Sequence, residues 1–145
     1  MNYIKKYIKE AKQILETINI EQIQVMLNLL INLKETKGRL FILGVGGGAG
    51  HASHAVNDFR KICGIEAYAP TDNVSELTAR INDDGWDTAY LNWLKGSNLV
   101  NEDVILVFSV GGGSLEKEIS VNIVNSLQYA KELGAKICGV VGRDG

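Results

Sequence analysis

The sequence predicts an α/β fold with a parallel sheet, and three observations lead there. Leu40–Leu43, Val104–Phe108 and Ile137–Val141 read as short strands, and Val104–Phe108 is a continuous apolar run, as expected of a strand buried on both faces. Segments of helical period separate them, as in β-α-β units. Two of the runs, Leu40–Leu43 and Val104–Phe108, stop at glycine loops that lead into helical patterns. In open parallel sheets, ligands bind at the carboxyl ends of strands. The two loops are therefore expected to converge on one site.

The elements follow in order. Ile4, Ile8, Ala11, Leu15 and Ile18 alternate by four and three, flanked by Tyr3, Tyr7 and Ile14, with lysines and glutamates opposite. This is an amphipathic helix, and its narrow 3-4 seam suits packing against a second copy of the chain. Ile20, Ile23, Met26, Leu27, Leu30 and Ile31 continue the pattern after Asn19 as far as Lys37–Gly38. Two helices thus precede the first strand, Leu40–Leu43. Gly44, Gly46, Gly47, Gly48 and Gly50 then crowd a single loop, and a helix is expected over Ala49–Lys61. Glu66–Ala69 reads as a second short strand, closed by Pro70 and the turn residues Thr71–Asn73. Val74–Ile81 reads as a short helix broken by the polar loop Asn82–Gly85, and Trp86–Lys95 as another. After Val104–Phe108 comes Ser109-Val110-Gly111-Gly112-Gly113-Ser114. Ser114 is placed as the N-cap of a helix running to Leu133 and stopping at Gly134. Ile137–Val141 is the last strand, ahead of Gly142-Arg143-Asp144-Gly145.

Composition bounds the function. The chain has 145 residues, the size of one domain, with residues 1–37 forming the N-terminal helices and 39–145 the α/β core. A net charge of −2 and a pI near 5.7 give no basic field, so no nucleic-acid partner is expected. No apolar run approaches the ~20 residues that cross a bilayer, and the charged start lacks the apolar core of a signal peptide. Cys63 and Cys138 match no metal or redox spacing. A cytoplasmic protein with reduced thiols and no membrane partner is expected.

The loop after the first strand carries the chemistry. Backbone N–H groups at a helix N-terminus suit an anion such as phosphate. His51, His54 and Asp58 fall three and four apart, on one helix face. His54 with Asp58 fits two metal ligands, a base with its orienting partner, or a solvated surface pair. His51 reads as a first-turn surface residue that could add a ligand. Trp86, Tyr90 and Trp93 read as core. A second class competes with this one: Gly44-x-Gly46-x-x-Ala49, with Glu66 about 20 residues on, fits the dinucleotide fingerprint. The two helices ahead of the first strand count against it, and no nucleotide cofactor is expected.

Four motifs in order carry a family resemblance: strand–GxGGxA–helix with His54 and Asp58 four apart; TD…S.LTA..ND.G; strand–S.xGxS; and GRDG. Together they resemble a sugar isomerase (SIS) domain of the phosphoheptose isomerase branch, over nearly the whole chain. The resemblance implies a three-layer α/β/α sandwich with a flavodoxin-like sheet. It implies conversion of sedoheptulose 7-phosphate to a heptose 7-phosphate by a homo-oligomer, with zinc in several members. Position by position, it places Val45, Gly46, Gly47, Gly48, Asn82, Asp83, Ser109, Val110, Gly111 and Ser114 at the substrate. It places His54 and Asp58 at the metal, and Asp58 as acid/base. Gly48 and Gly111 stand where the family has serine hydroxyls, and Asp58 where it has glutamate. Glu116 and Glu118 are expected in the first turns of the helix after Ser114, in the field a phosphate would use. The family also has a final strand and a helix bearing a glutamine and a catalytic histidine, which this sequence stops before. Two functions follow as expectations: a sugar-phosphate isomerase acting on sedoheptulose 7-phosphate or a relative of it, or a non-catalytic module binding a phosphosugar or other carbohydrate derivative.

Overall fold

The computed structural model describes residues 2–143, so Asp144 and Gly145 of the last motif lie outside the described residues. The chain forms two compact units, Met1–Leu30 and Ile31–Gly145.

The first unit holds α1 (Tyr3–Thr17) and most of α2 (Ile20–Thr36). Asn2 caps α1 and Asn19 caps α2, their side-chain oxygens accepting from the N–H groups of Ile4 and Gln22. Such a cap satisfies one of the donors that a helix start leaves free. No residue of α1 is buried. Tyr3, Ile4, Tyr7 and Leu15 are each more than 60% exposed, so the expected apolar seam is real and open.

The second unit is a four-stranded parallel sheet in the order β2-β1-β3-β4. β1 is Leu40–Gly44, β2 Ala67–Tyr68, β3 Val104–Ser109 and β4 Lys136–Val141. The remaining helices are α3 (Gly47–Asp58), α4 (Val74–Asp84), α5 (Trp86–Gly96) and α6 (Val121–Leu133). Phe41 and Leu43 of β1, with Ile105 and Val107 of β3, form one core with Tyr90, Trp93 and Leu94 of α5 and Ile123 and Ala130 of α6. Side chains alternate along a strand, which leaves Leu40, Ile42 and Leu106 for the opposite face; these are buried too, as are Ala52 and Val56 of α3. The runs of β1 and β3 are continuous because both faces are covered, in a three-layer α/β/α arrangement, whereas β4, at the sheet edge, is exposed along nearly its whole length.

A buried ion pair ties the strand starts together. Asp103, 1% exposed, accepts from the backbone N–H groups of Arg39 and Val100 and from the Arg39 guanidinium, with Nη2 at 2.7 Å. Arg39 also donates to the Ser97 and Asn98 carbonyls. The bond to Asp103 holds the guanidinium pKa above its ordinary value.

Several boundaries depart from expectation. α3 begins two residues early, inside the glycine loop, because Gly48, Ala49 and Gly50 already donate to Val45 and Gly46 carbonyls. It ends at Asp58 in a π-helical turn, Phe59–Cys63, closed by Gly64 in the left-handed region. Asn82–Asp84 form the last turn of α4 and not a loop; only Gly85, at φ 81°, breaks the helix. The largest correction is Ser114, which caps no long helix. Its backbone pairs with Ile119 in both directions at 2.9 Å, closing a small antiparallel turn. Left-handed residues at Glu118 and Ser120 delay α6 to Val121. Glu116 and Glu118 therefore sit in that turn and not on a helix.

Candidate functional site

The two glycine loops do converge. β1 and β3 are register neighbours, Gly44 opposite Phe108, so both chains leave the sheet at the same level. Glycine is required at the crossing. A Cβ on Gly44 would overlap the Gly48 carbonyl, and one on Gly48 would lie 2.6 Å from the Phe108 carbonyl oxygen. The first turn of α3 thus rests directly on the ends of both strands. A serine at position 48 would meet the Phe108 carbonyl in the present backbone.

Between the loops lies a hollow of about 360 Å³, lined by Gly47, Gly48, His51, Phe108, Ser109, Val110, Val140 and Gly142. A second hollow, of about 510 Å³, holds His51, His54, Asp58, Cys63 and apolar neighbours. The two share His51, Phe108 and Val140, and so meet. The structure therefore brings Gly47, Gly48, Ser109 and Val110 together and sets His54 and Asp58 beside them. His51, read from sequence as a surface residue, stands where the hollows join. Its spacing of three from His54 was the only sign.

His54 Nε2 lies 3.3 Å from Asp58 Oδ2, on an exposed helix face. An exposed pair of this kind contributes ~0–1 kcal/mol to stability, so folding does not demand it. Zinc takes about four ligands in tetrahedral array. His54 and Asp58 supply two, and among the described residues no group of three or more His, Cys, Asp or Glu could hold a metal ion. One chain's described residues do not fit a zinc site.

The surviving hydroxyls are already used. Ser109 Oγ donates to the Gly112 carbonyl at 3.0 Å, and Ser114 Oγ accepts from the Lys117 N–H. Both shape the second loop; Ser109 also lines the hollow between the loops, and Ser114 does not. Gly48, Ala49 and Gly50 are bonded inside the chain, while the N–H groups of Val45, Gly46 and Gly47 have no backbone acceptor in this loop among the described residues. Gly46 takes φ 57°, where a side chain would be strained. Asn82 and Asp83 do not reach this place. They bond to each other at 2.8 Å on the exposed end of α4 and line neither hollow.

A buried tyrosine supports the first loop from below. Tyr90, with no exposed surface, donates its hydroxyl to the Gly44 carbonyl at 2.8 Å. β2 pairs with β1 only at Leu40 and Phe41, so farther along β1 a side chain supplies this bond. Burial pushes the phenol pKa up to about 12.

The dinucleotide reading is overturned by topology. Glu66 precedes β2, with its carbonyl accepting from Leu40 N–H and its carboxylate from the Tyr68 hydroxyl. In a parallel sheet that is the end opposite the glycine loops, where no ribose on the first loop could reach it.

Comparison with known proteins agrees with this geometry. The family model described as the SIS domain matches residues 3–142. A phosphoheptose isomerase of Helicobacter pylori strain P12 is 32% identical over 94% of this chain and 70% of its own. A probable phosphoheptose isomerase of Thermoplasma volcanium is 28% identical over 98% of this chain and 71% of its own. The structure of phosphoheptose isomerase from Neisseria gonorrhoeae superposes with a TM-score of 0.83 at 23% identity, over 99% of this chain and 74% of that one, a likeness of fold. Glycine loops meeting over β1 and β3, the two N-terminal helices and these matches together place the chain in the SIS domain family, in its phosphoheptose isomerase branch.

Proposed function

We propose that this protein is a cytoplasmic sugar-phosphate isomerase that interconverts the aldose and ketose forms of sedoheptulose 7-phosphate or a close relative. The observation that carries the reading is the joining of two hollows: an anion-suited loop crossing on one side, and the His51, His54 and Asp58 face on the other. Relatives at 31–32% identity bear the name phosphoheptose isomerase, which supports the substrate class.

Aldose–ketose isomerisation moves a proton between adjacent carbons through an enediol, while a second proton shifts between their oxygens. Asp58 is the carbon base: it takes the proton from one carbon and returns it to the next. His54, within 3.3 Å, orients that carboxylate. His51, at the junction of the hollows, faces the sugar oxygens and passes their proton. The N–H groups of Gly46 and Gly47 hold phosphate oxygens at the positive end of α3. Val45 and Val110 contribute backbone, Gly111 contributes space, and Ser109 and Ser114 keep the second loop in shape. Asn82 and Asp83 are assigned no step. Zinc is assigned none either, since the described residues do not complete its site.

The chain works as a homo-oligomer in this reading. The open apolar seam of α1 supports association between copies. Among the described residues no single helix is long and apolar enough to cross a membrane.

A second reading, a non-catalytic phosphosugar-binding module, has one observation in its favour: both loop hydroxyls are bonded within the chain. Incubation with sedoheptulose 7-phosphate, followed by NMR of the sugar, separates the two. Conversion to the aldose that is lost in Asp58→Asn supports the enzyme. Saturable binding without conversion supports the module.

A further inference from the structure

We propose that Arg143 is the cation that takes the substrate phosphate at the second glycine loop; the inference rests on the sugar-phosphate reading above. The starting point is a deficit of charge. A phosphate ester at neutral pH carries between one and two negative charges. Yet the loop hollow has no lysine or arginine in its wall, and His51 is its only titratable side chain. The Ser109 hydroxyl donates inside its own loop. The neighbouring turn adds Glu116 and Glu118 against a single lysine, Lys117, which repels an anion.

Arg143 supplies the missing charge. Gly142 N–H donates to the Ser109 carbonyl at 3.0 Å, pinning the segment after β4 onto the second loop. A Cβ on Gly142 would come within 2.7 Å of the Val110 carbonyl oxygen, so glycine lets the two segments touch. From there Arg143 turns back over the loop. Its Nη1 lies 3.8 Å, and its Cδ 4.0 Å, from the place a Gly111 side chain would begin. The position that resembles a serine site thus holds open space with a guanidinium beside it. Among the described residues Arg143 makes no hydrogen bond and no ion pair. It also holds φ at 52°, a conformation that costs a non-glycine residue energy. A guanidinium presents several donors in a plane and pairs with phosphate through two of them. One cation there would do the work of the hydroxyls missing at positions 48 and 111.

The test measures binding of sedoheptulose 7-phosphate to the full chain by calorimetry, alongside kcat and KM. Arg143→Ala should weaken binding and raise KM roughly ten- to a hundredfold, the scale of losing a hydrogen bond to a charged partner, with kcat changed far less. Arg143→Lys, which keeps the charge, should recover most of the affinity. The unfolding midpoint should be unmoved, because the side chain is exposed. Wild-type affinity in Arg143→Ala would overturn the inference and leave the sugar-phosphate reading standing. A wild-type chain that binds no sugar phosphate would overturn both.

Discussion

Replacing Tyr90 by phenylalanine isolates the support under the first loop. The ring stays in its core position among Phe41, Trp93 and Ile123, and only the donor to Gly44 is removed. The carbonyl left behind is enclosed, and an enclosed acceptor without a partner costs ~1–3 kcal/mol. At roughly 2–4 °C per kcal/mol for a chain near this size, a loss of about 2 kcal/mol lowers the melting point by about 4–8 °C. Thermal unfolding followed by circular dichroism near neutral pH reads this directly. Alkaline pH supplies a second arm. The Tyr90 phenol titrates near 12 when folded and near its ordinary 10 when unfolded. A folded-state pKa above the unfolded one adds stability that is full below pH 10 and is lost as pH rises towards 12. Wild type should therefore lose its advantage over Tyr90→Phe across that window. Equal melting points at neutral pH would refute the idea that the Tyr90 bond holds the strand end. A gap that stayed constant up to pH 12 would refute the assigned titration.

Four other outcomes follow from the same geometry. Gly48→Ser, which adds the hydroxyl that the family resemblance implies there, should lower stability by ~1–3 kcal/mol, the scale of overpacking, because its Cβ meets the Phe108 carbonyl at 2.6 Å; a denaturant titration would show it, and phosphosugar affinity should not improve. Asp58→Asn should abolish isomerisation by NMR while moving the unfolding free energy by less than ~1 kcal/mol, since its partner is exposed. Asp103→Ala removes the carboxylate partner of Arg39, which keeps its bonds to the Ser97 and Asn98 carbonyls, and leaves two backbone N–H groups without their acceptor, at ~1–3 kcal/mol for each enclosed one; chemical denaturation should show a large shift in midpoint. Ile4→Glu together with Leu15→Glu, on the open seam of α1, should reduce the mass seen by light scattering, and an unchanged mass would remove α1 from the interface.

The sequence by itself determined the elements and their order. Continuous apolar runs marked β1 and β3 because strands covered on both faces cannot alternate, whereas β4 is an exposed edge strand. Gly134 marked a helix end because capping is local chemistry. The glycine loops announced a site because two such loops on one parallel sheet must open at the same edge. Much less could be read about which side chains share that site. The sequence placed Asn82 and Asp83 at the substrate by likeness, and it gave Ser114 a helix that Ile119 pre-empts through a backbone bridge. It took Tyr90 for plain core, read His51 as a surface residue that could add a ligand, and gave Arg143 no role. Each of these depends on residues far apart in the chain: Tyr90 on Gly44, Gly48 on Phe108, Gly111 on Arg143. Local propensity carries no record of such meetings. Only packing the crossovers onto the sheet brings those atoms within reach, and there the hydrogen bonds and charges of the site are decided.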